Sequence, residues 1–284
     1  MLASSFVLLI PFALGLAIPV SLRFALGPER AQRFLGLGLP LAFLIAWGIL
    51  VGPGWQAYDS LGRIGHIVFG GMLLGLALDL FIQRRVLVVT AGAIYLAICA
   101  WAAVNGGLWP RQMPSLVALV GFIGSATIAF GLFWRIDQLR RSAQPHIAAS
   151  TATLLQVALT ALSLAAVAAV VGDVPLRATA AIFALAIAGL LVFGALFALE
   201  LANLTLLVAA GGLFAIAWAL IERTPGTAVG VGVSVLILFA DGTVRRVPLP
   251  QAGISRFLYP LILAATALGP ILLAVLLTVA VRAS

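Results

Sequence analysis

The chain has 284 residues, of which 64% are hydrophobic types and 8% are charged. Soluble domains contain roughly 45–50% apolar and about 25% charged residues, so this composition excludes a water-soluble fold. The net charge of +8 comes from sixteen basic residues, all of them arginine, against eight acids. The arginines lie singly or in short groups at the ends of apolar runs. Because they form no basic stripe, the sequence excludes a nucleic-acid partner.

Ten apolar runs follow one another along the chain. A helix needs about 20 apolar residues to cross the hydrocarbon layer, and ten crossings of that length leave only short loops. The sequence therefore predicts an all-α fold, a polytopic transmembrane helix bundle that occupies residues 1–284 as a single membrane domain. The predicted helices cover residues 1–22, 34–55, 64–82, 86–109, 115–134, 148–171, 178–199, 204–221, 227–240 and 254–281.

The first run, residues 1–22, has no basic residue before it and no clear small-residue cleavage site, so we expect a retained first helix. Residues 89–95 and 208–214 share an Ala/Gly-rich pattern, and each stretch follows a helix that ends in an acid. The pattern is typical of a weak two-part repeat, but two small-residue membrane helices also resemble each other by chance.

The ninth run is too short for an ordinary crossing. It covers only residues 227–240, and the pair Asp241-Gly242 behind it is a turn signal. We expect a short crossing that is tilted or that passes through a thinned bilayer. The alternative is an interfacial β-hairpin within residues 227–250.

The arginines also predict how the bundle is oriented. Cytoplasmic loops of membrane proteins carry more arginine and lysine than the outer loops do. With ten helices, eleven arginines fall on one side and five on the other. We therefore expect the larger group to face the cytoplasm and both termini to lie outside the plasma (inner) membrane. The larger group is Arg23, Arg30, Arg33, Arg84, Arg85, Arg135, Arg140, Arg141, Arg245, Arg246 and Arg256, and the smaller is Arg63, Arg111, Arg177, Arg223 and Arg282.

The sixth predicted helix carries a stripe of polar side chains. Thr153, Gln156, Thr160 and Ser163 recur at spacings of three and four, which places them on one helix face, and His146 extends this face toward the cytoplasm. Such a stripe packs against another helix through hydrogen bonds, or it lines a wet cavity along which a solute moves. The four residues are therefore candidates for a substrate pathway, with a packing seam as the alternative.

Three further polar residues are candidates for an ion or proton site. Asp79 lies near the end of the third helix, where an ionisable group has either a partner or a function. The alternative role for Asp79 is an ion pair with Arg84 or Arg85, about one turn away. Glu200 and Asn203 lie between the seventh and eighth helices, three residues apart, and the alternative there is a solvated turn.

No motif in the sequence indicates an enzyme. The chain has no lysine, no phosphate-binding Gly-Lys-Ser/Thr loop, no Gly-x-Ser-x-Gly elbow and no zinc-binding His pair. With one cysteine, Cys99, and two histidines, His66 and His146, we expect no metal and no cofactor.

The expected partner is the lipid bilayer. The preferred function is a permease-like carrier of a small solute, and the alternative is a noncatalytic membrane subunit or assembly factor that binds other membrane subunits. In size and in its short loops the chain resembles the ten-helix drug/metabolite transporters. Those transporters are expected to keep both termini in the cytoplasm, contrary to the arginine count here.

Overall fold

The computed structural model describes residues 9–52, 59–82, 84–107, 115–141, 149–197, 199–244 and 255–283. Within these ranges the chain forms helices and turns and no strand. Its main helices are α1 (Ile10–Leu26), α2 (Gly38–Leu50), α3 (Ser60–Phe81), α4 (Arg85–Val104), α5 (Leu116–Arg141), α6 (Ala149–Val171), α7 (Val174–Leu196), α8 (Asn203–Arg223), α9 (Ala228–Val235) and α10 (Ser255–Ala283).

These helices confirm the predicted all-α transmembrane bundle. Among the described residues, eight segments have the length and apolar composition needed to cross a membrane, and α1 and Leu35–Leu50 are shorter apolar helices. Large hydrophobic side chains such as Phe69, Leu119 and Leu272 are exposed on the outside of the bundle. Exposed apolar side chains are stable there because lipid, rather than water, surrounds a membrane-spanning helix.

Helix α5 is longer than the sequence predicted. The prediction ended this helix at residue 134, where the charged residues begin, but the helix continues to Arg141. Asp137 forms ion pairs with Arg140 and Arg141 at spacings of three and four within the same helix. Pairs at these spacings stabilise a helix, and arginines in the last turn interact favourably with its dipole, so the charged segment stays helical.

Helix α8 lies at the centre of the bundle. In its most hydrophobic window, 83% of the residues are buried inside the protein, against 22% for α5 and for α10. Helix α8 packs along α3 and α5 and also contacts α4, α6 and α7. The groups at its two ends therefore lie among several helices, where they can position a site.

Glycines allow the closest helix contacts. A Cβ added at Gly189 in α7 would lie 2.3 Å from the carbonyl oxygen of Phe12 in α1. A Cβ at Gly75 in α3 would lie 2.3 Å from the Cα of Leu204 in α8. Both are backbone contacts, which no side chain could tolerate without separating the helices. By contrast, Gly48 has open space around its Cβ position and forms no such contact.

The ninth predicted segment is a helix with a change of pitch. Helix α9 is followed by a 3₁₀ segment, Leu236–Phe239, and by a final helical turn, Asp241–Val244. The region Pro225–Val244 has 20 residues and is long and apolar enough to cross a membrane. The Asp241-Gly242 pair belongs to the helical turn rather than to a hairpin turn, so the hairpin alternative is wrong for residues up to 244. Residues 245–254 lie outside the described ranges.

Candidate functional site

The polar stripe of α6 is packed inside the bundle. Thr153, Gln156, Thr160 and Ser163 are each at most 1% exposed. The Ser163 hydroxyl lies 2.8 Å from the hydroxyl of Ser234 in α9, and Thr160 donates a hydrogen bond to the carbonyl of Gln156 in its own helix. The C-terminal half of the stripe is therefore part of a tight contact between α6 and α9. His146 lies outside the described residues.

Gln156 is the exception within the stripe. Its side chain is 0% exposed, and neither its amide nitrogen nor its amide oxygen has a hydrogen-bond partner among the described residues. An unpaired buried amide costs about 1–3 kcal/mol, and native structures contain few of them. One turn away, Thr153 borders a void of about 10 Å³, enough for roughly one water molecule, together with Thr205 of α8.

Asp79 caps the N-terminus of α8. Its Oδ1 accepts hydrogen bonds from the backbone nitrogen of Asn203 at 3.0 Å and from the Asn203 side-chain amide at 2.9 Å. Its Oδ2 accepts from the backbone nitrogen of Leu204 at 3.0 Å. The expected alternative role, an ion pair with Arg84 or Arg85, is not formed. The unpaired N–H groups and the dipole at the helix start bind the carboxylate instead.

Glu200 and Asn203 do not act together. Helix α8 begins at Asn203, so Glu200 lies outside the helix, and its side chain is exposed. Asn203 is partly buried between Asp79 and Arg140, whose Nη1 donates to the Asn203 Oδ1 at 3.2 Å. Of the three candidates for an ion or proton site, Asp79 and Asn203 therefore belong to one polar network, and Glu200 is not part of it.

Sequence reasoning missed the centre of this network. Arg140 donates from Nη2 to Asp137 at 2.8 Å and from Nη1 to the carbonyl of Leu201 at 3.0 Å. Arg141 pairs with the other oxygen of Asp137, whose side chain is 4% exposed. The spacing of Asp137, Arg140 and Arg141 is a helical one, and it was overlooked because the predicted helix ended before them.

A cleft of about 430 Å³ opens beside this network, and we call it the arginine cleft. It lies between α4, α5 and the start of α8. Its polar lining consists of Arg85, Arg140, Arg141, Asp137 and Asn203, and its apolar lining consists of Val88, Val89, Phe133 and Leu206. We call this end of the bundle the arginine-rich end.

The opposite end of the bundle has its own ion pairs. Arg63 is 5% exposed, donates to the carbonyl of Ala103 at 2.8 Å and pairs with Glu222. Asp59 pairs with Arg223 of α8 at 3.2 Å. The surface pair between Asp59 and Arg63 that their spacing of four suggests is therefore absent, because each residue finds a partner at the end of α8.

A second cleft, of about 300 Å³, lies between α3 and α4 near this opposite end, and we call it the α3–α4 cleft. Most of its lining is apolar, with a few polar groups. The lining residues are Arg63, His66, Ile67, Gly70, Tyr95, Ile98, Cys99, Ala102 and Gly107. The ring nitrogen Nδ1 of His66 lies 2.8 Å from the carbonyl of Gly62.

Both clefts border α4, at different heights along the helix. On α4, the arginine cleft reaches Val89 and the α3–α4 cleft reaches Tyr95. Six residues of helix correspond to about 9 Å, against about 30 Å for the hydrocarbon layer. Tyr95 donates a hydrogen bond to the carbonyl of Ile67, and Phe133 packs against Gly92. Tyr95 therefore borders the α3–α4 cleft, and Phe133 borders the arginine cleft.

An ion pair and a hydrogen bond link α5 to the 3₁₀ segment after α9 and to the helical turn that follows it. Arg135 pairs with Asp241, donates from Nε to the carbonyl of Leu238 at 2.9 Å and lies over the ring of Phe239. The change from α to 3₁₀ pitch alters the carbonyl pattern of the chain here, and the guanidinium satisfies one of the carbonyls. Asp241 is 4% exposed, so the pair is enclosed by protein.

Comparisons with known proteins give no family for this chain: no family model matches it, and no curated protein is significantly similar to it. Among the residues that the structure describes, no group of three or more His, Cys, Asp and Glu side chains could hold a metal ion.

Proposed function

We propose that the protein is a permease-like carrier that moves a small solute across a membrane. The observation that carries this proposal is the pair of clefts beside α4, which lie toward the two ends of the bundle and whose lining residues on α4, Val89 and Tyr95, are about 9 Å apart along the helix axis. Clefts of a few hundred cubic ångströms are large enough for a small molecule. A carrier needs access from both faces and a barrier between them that can open.

The barrier has features that suit movement. A Cβ at Gly92 would lie 3.0 Å from the ring of Phe133, and a Cβ at Gly71 would lie 2.9 Å from the Tyr95 hydroxyl. Both rings therefore pack against glycines. In the proposed cycle, a small shift of α4 against α5 and α8 opens the barrier toward one cleft and closes it toward the other.

We further propose that the arginine-rich end faces the cytoplasm, that both termini lie outside and that the membrane is the plasma (inner) membrane. The support is the excess of arginines on that side. In this orientation a solute enters the arginine cleft from the cytoplasm and the α3–α4 cleft from outside. The stripe on α6 does not border either cleft, so the residues that the proposal places along the solute path are those of α4.

Solute uptake by reconstituted liposomes tests the carrier proposal. The purified protein is reconstituted, and a panel of radiolabelled small anions, cations and neutral metabolites is applied, with protein-free liposomes as the blank. Val89→Trp should abolish the uptake found, because the larger ring fills the arginine cleft. Val86→Trp, on the lipid-exposed face of the same helix, is the matched control and should retain it. If wild type takes up no solute above the blank, or if both variants lose uptake equally, the proposal is wrong.

A noncatalytic membrane subunit remains the second candidate, and one observation favours it. The lining of the α3–α4 cleft is mostly apolar, and Ile98 within it is 48% exposed, so the cleft also suits an apolar helix of another protein. In the subunit case, Ile98→Trp would disrupt a complex isolated from native membranes. In the carrier case, the same variant would reduce solute uptake by the purified protein alone.

A further inference from the structure

We propose that the arginine cleft binds an anion whose charge lies on carboxylate or phosphate oxygens. That this anion is the transported solute rests on the proposed carrier function, whereas its binding in the cleft does not depend on transport. Such an anion is either a soluble solute or the headgroup of a lipid, and both present the same oxygens to the protein.

The first support is the balance of charge in the cleft. Three arginines line it, Arg85, Arg140 and Arg141, against one carboxylate, that of Asp137. Both oxygens of Asp137 are already engaged by Arg140 and Arg141. The nearby carboxylate of Asp79, which is hydrogen-bonded at both oxygens by Asn203 and Leu204, also attracts Arg140, so three arginines face two carboxylates. The lining therefore keeps an excess of positive charge.

The second support is the state of Arg85. Among the described residues, no carboxylate forms an ion pair with Arg85, although it lines the cleft and lies close enough to Arg140 for their charges to repel. Like charges held beside a low-dielectric wall are unfavourable, and an anion between them removes the repulsion. The apolar side of the cleft, which includes the buried Val88 and Phe133, provides that wall.

The third support is the chemistry of the side chains. A guanidinium presents a planar fork of N–H groups that matches two oxygens of a carboxylate or phosphate, which a lysine ammonium does not. All sixteen basic residues of this chain are arginine. The side-chain amide of Asn203 also lies in the lining and can orient a bound oxygen. A cation would meet only the shared carboxylate of Asp137.

Binding of inorganic phosphate tests the inference. The full chain is placed in nanodiscs of neutral phosphatidylcholine at constant ionic strength, and the dissociation constant for phosphate is measured by titration. Arg85→Gln should weaken binding about tenfold or more, because it removes a charge-assisted contact. Arg84→Gln, the same charge change one residue away and outside the cleft lining, should change it less than about twofold. Arg85→Lys should be intermediate.

A second arm uses nanodiscs that contain the anionic lipid phosphatidylglycerol. Competition between this lipid and phosphate, with the same dependence on Arg85, would assign the site to a headgroup as well as to a soluble anion. Absence of binding by both probes, or equal effects of Arg84→Gln and Arg85→Gln, would overturn the inference. Binding without uptake in the liposome assay would refute the carrier proposal and leave the anion site. Uptake of a neutral solute by a protein that binds neither anion would refute the anion site and leave the carrier proposal.

Discussion

Replacing Gln156 by methionine should stabilise the protein. Its amide is 0% exposed, and neither polar atom is hydrogen-bonded among the described residues. Methionine has a similar length and contains no group that needs a hydrogen bond, so Gln156→Met removes the cost of the buried amide and keeps most of the packing. The direction is unusual, because most substitutions at buried positions destabilise a protein.

The size of the effect follows from two unpaired atoms of one side chain. Leaving a buried polar group without partners costs about 1–3 kcal/mol in mutational data, and the amide counts as one such group with a donor and an acceptor. We expect Gln156→Met to raise the free energy of unfolding by that amount, since the thioether contributes only ordinary apolar contacts. The gain should appear as a higher midpoint of thermal unfolding in detergent.

Two controls accompany this measurement. Leu162→Met, at a position 50% exposed on the same helix, should leave the midpoint nearly unchanged. Ser163→Ala should lower it, because the substitution leaves the Ser234 hydroxyl without its partner in α6. A midpoint for Gln156→Met at or below the wild-type value would refute the reasoning and would indicate that the amide has a partner in the membrane-embedded protein.

Three further predictions concern the ends of the helices. Asp79→Ala should lower the free energy of unfolding by about 1–3 kcal/mol in the same assay, because it removes the cap of α8, whereas Glu200→Gln at an exposed position should have little effect; equal effects would contradict the capping role. A reporter fused after Ala143 should give a cytoplasmic signal and one after Gln112 an external signal; the reverse pattern would overturn the proposed orientation. A reporter at Ser284 should also be external, and a cytoplasmic signal would mean an odd number of crossings.

The helices themselves were predictable because lipid imposes a simple requirement. Every crossing needs about 20 apolar residues, and the composition of the chain leaves no other fold. Errors arose where polar residues occur inside helices. The end of α5 was missed because Asp137, Arg140 and Arg141 resemble a loop by composition, although their spacing pairs them on one helix face.

The arrangement of polar groups between helices could not be read from the sequence. Asp79 lies one turn from two arginines in the chain, yet it binds the start of α8, more than 120 residues away. The spacing of four residues between Asp59 and Arg63 also suggests the wrong partner, because Arg63 pairs with Glu222. These contacts depend on which helix ends meet in space, and periodicity along one helix contains no information about its neighbours. For the same reason, the sequence located the stripe of α6 but could not predict that its Gln156 side chain has no hydrogen-bond partner among the described residues.

The most direct test of a solute path along α4 is the reactivity of introduced cysteines toward a membrane-impermeant maleimide, applied from either side in a Cys99→Ala background. We expect Val89→Cys to react only from the arginine-rich side and Ala102→Cys only from the other. Leu96→Cys, at a position that is 0% exposed, should react from neither side. Water must reach a thiol for it to ionise and react. Protection of both Val89→Cys and Ala102→Cys, or labelling of both from the same side, would contradict the claim that clefts from opposite faces meet at the barrier on α4.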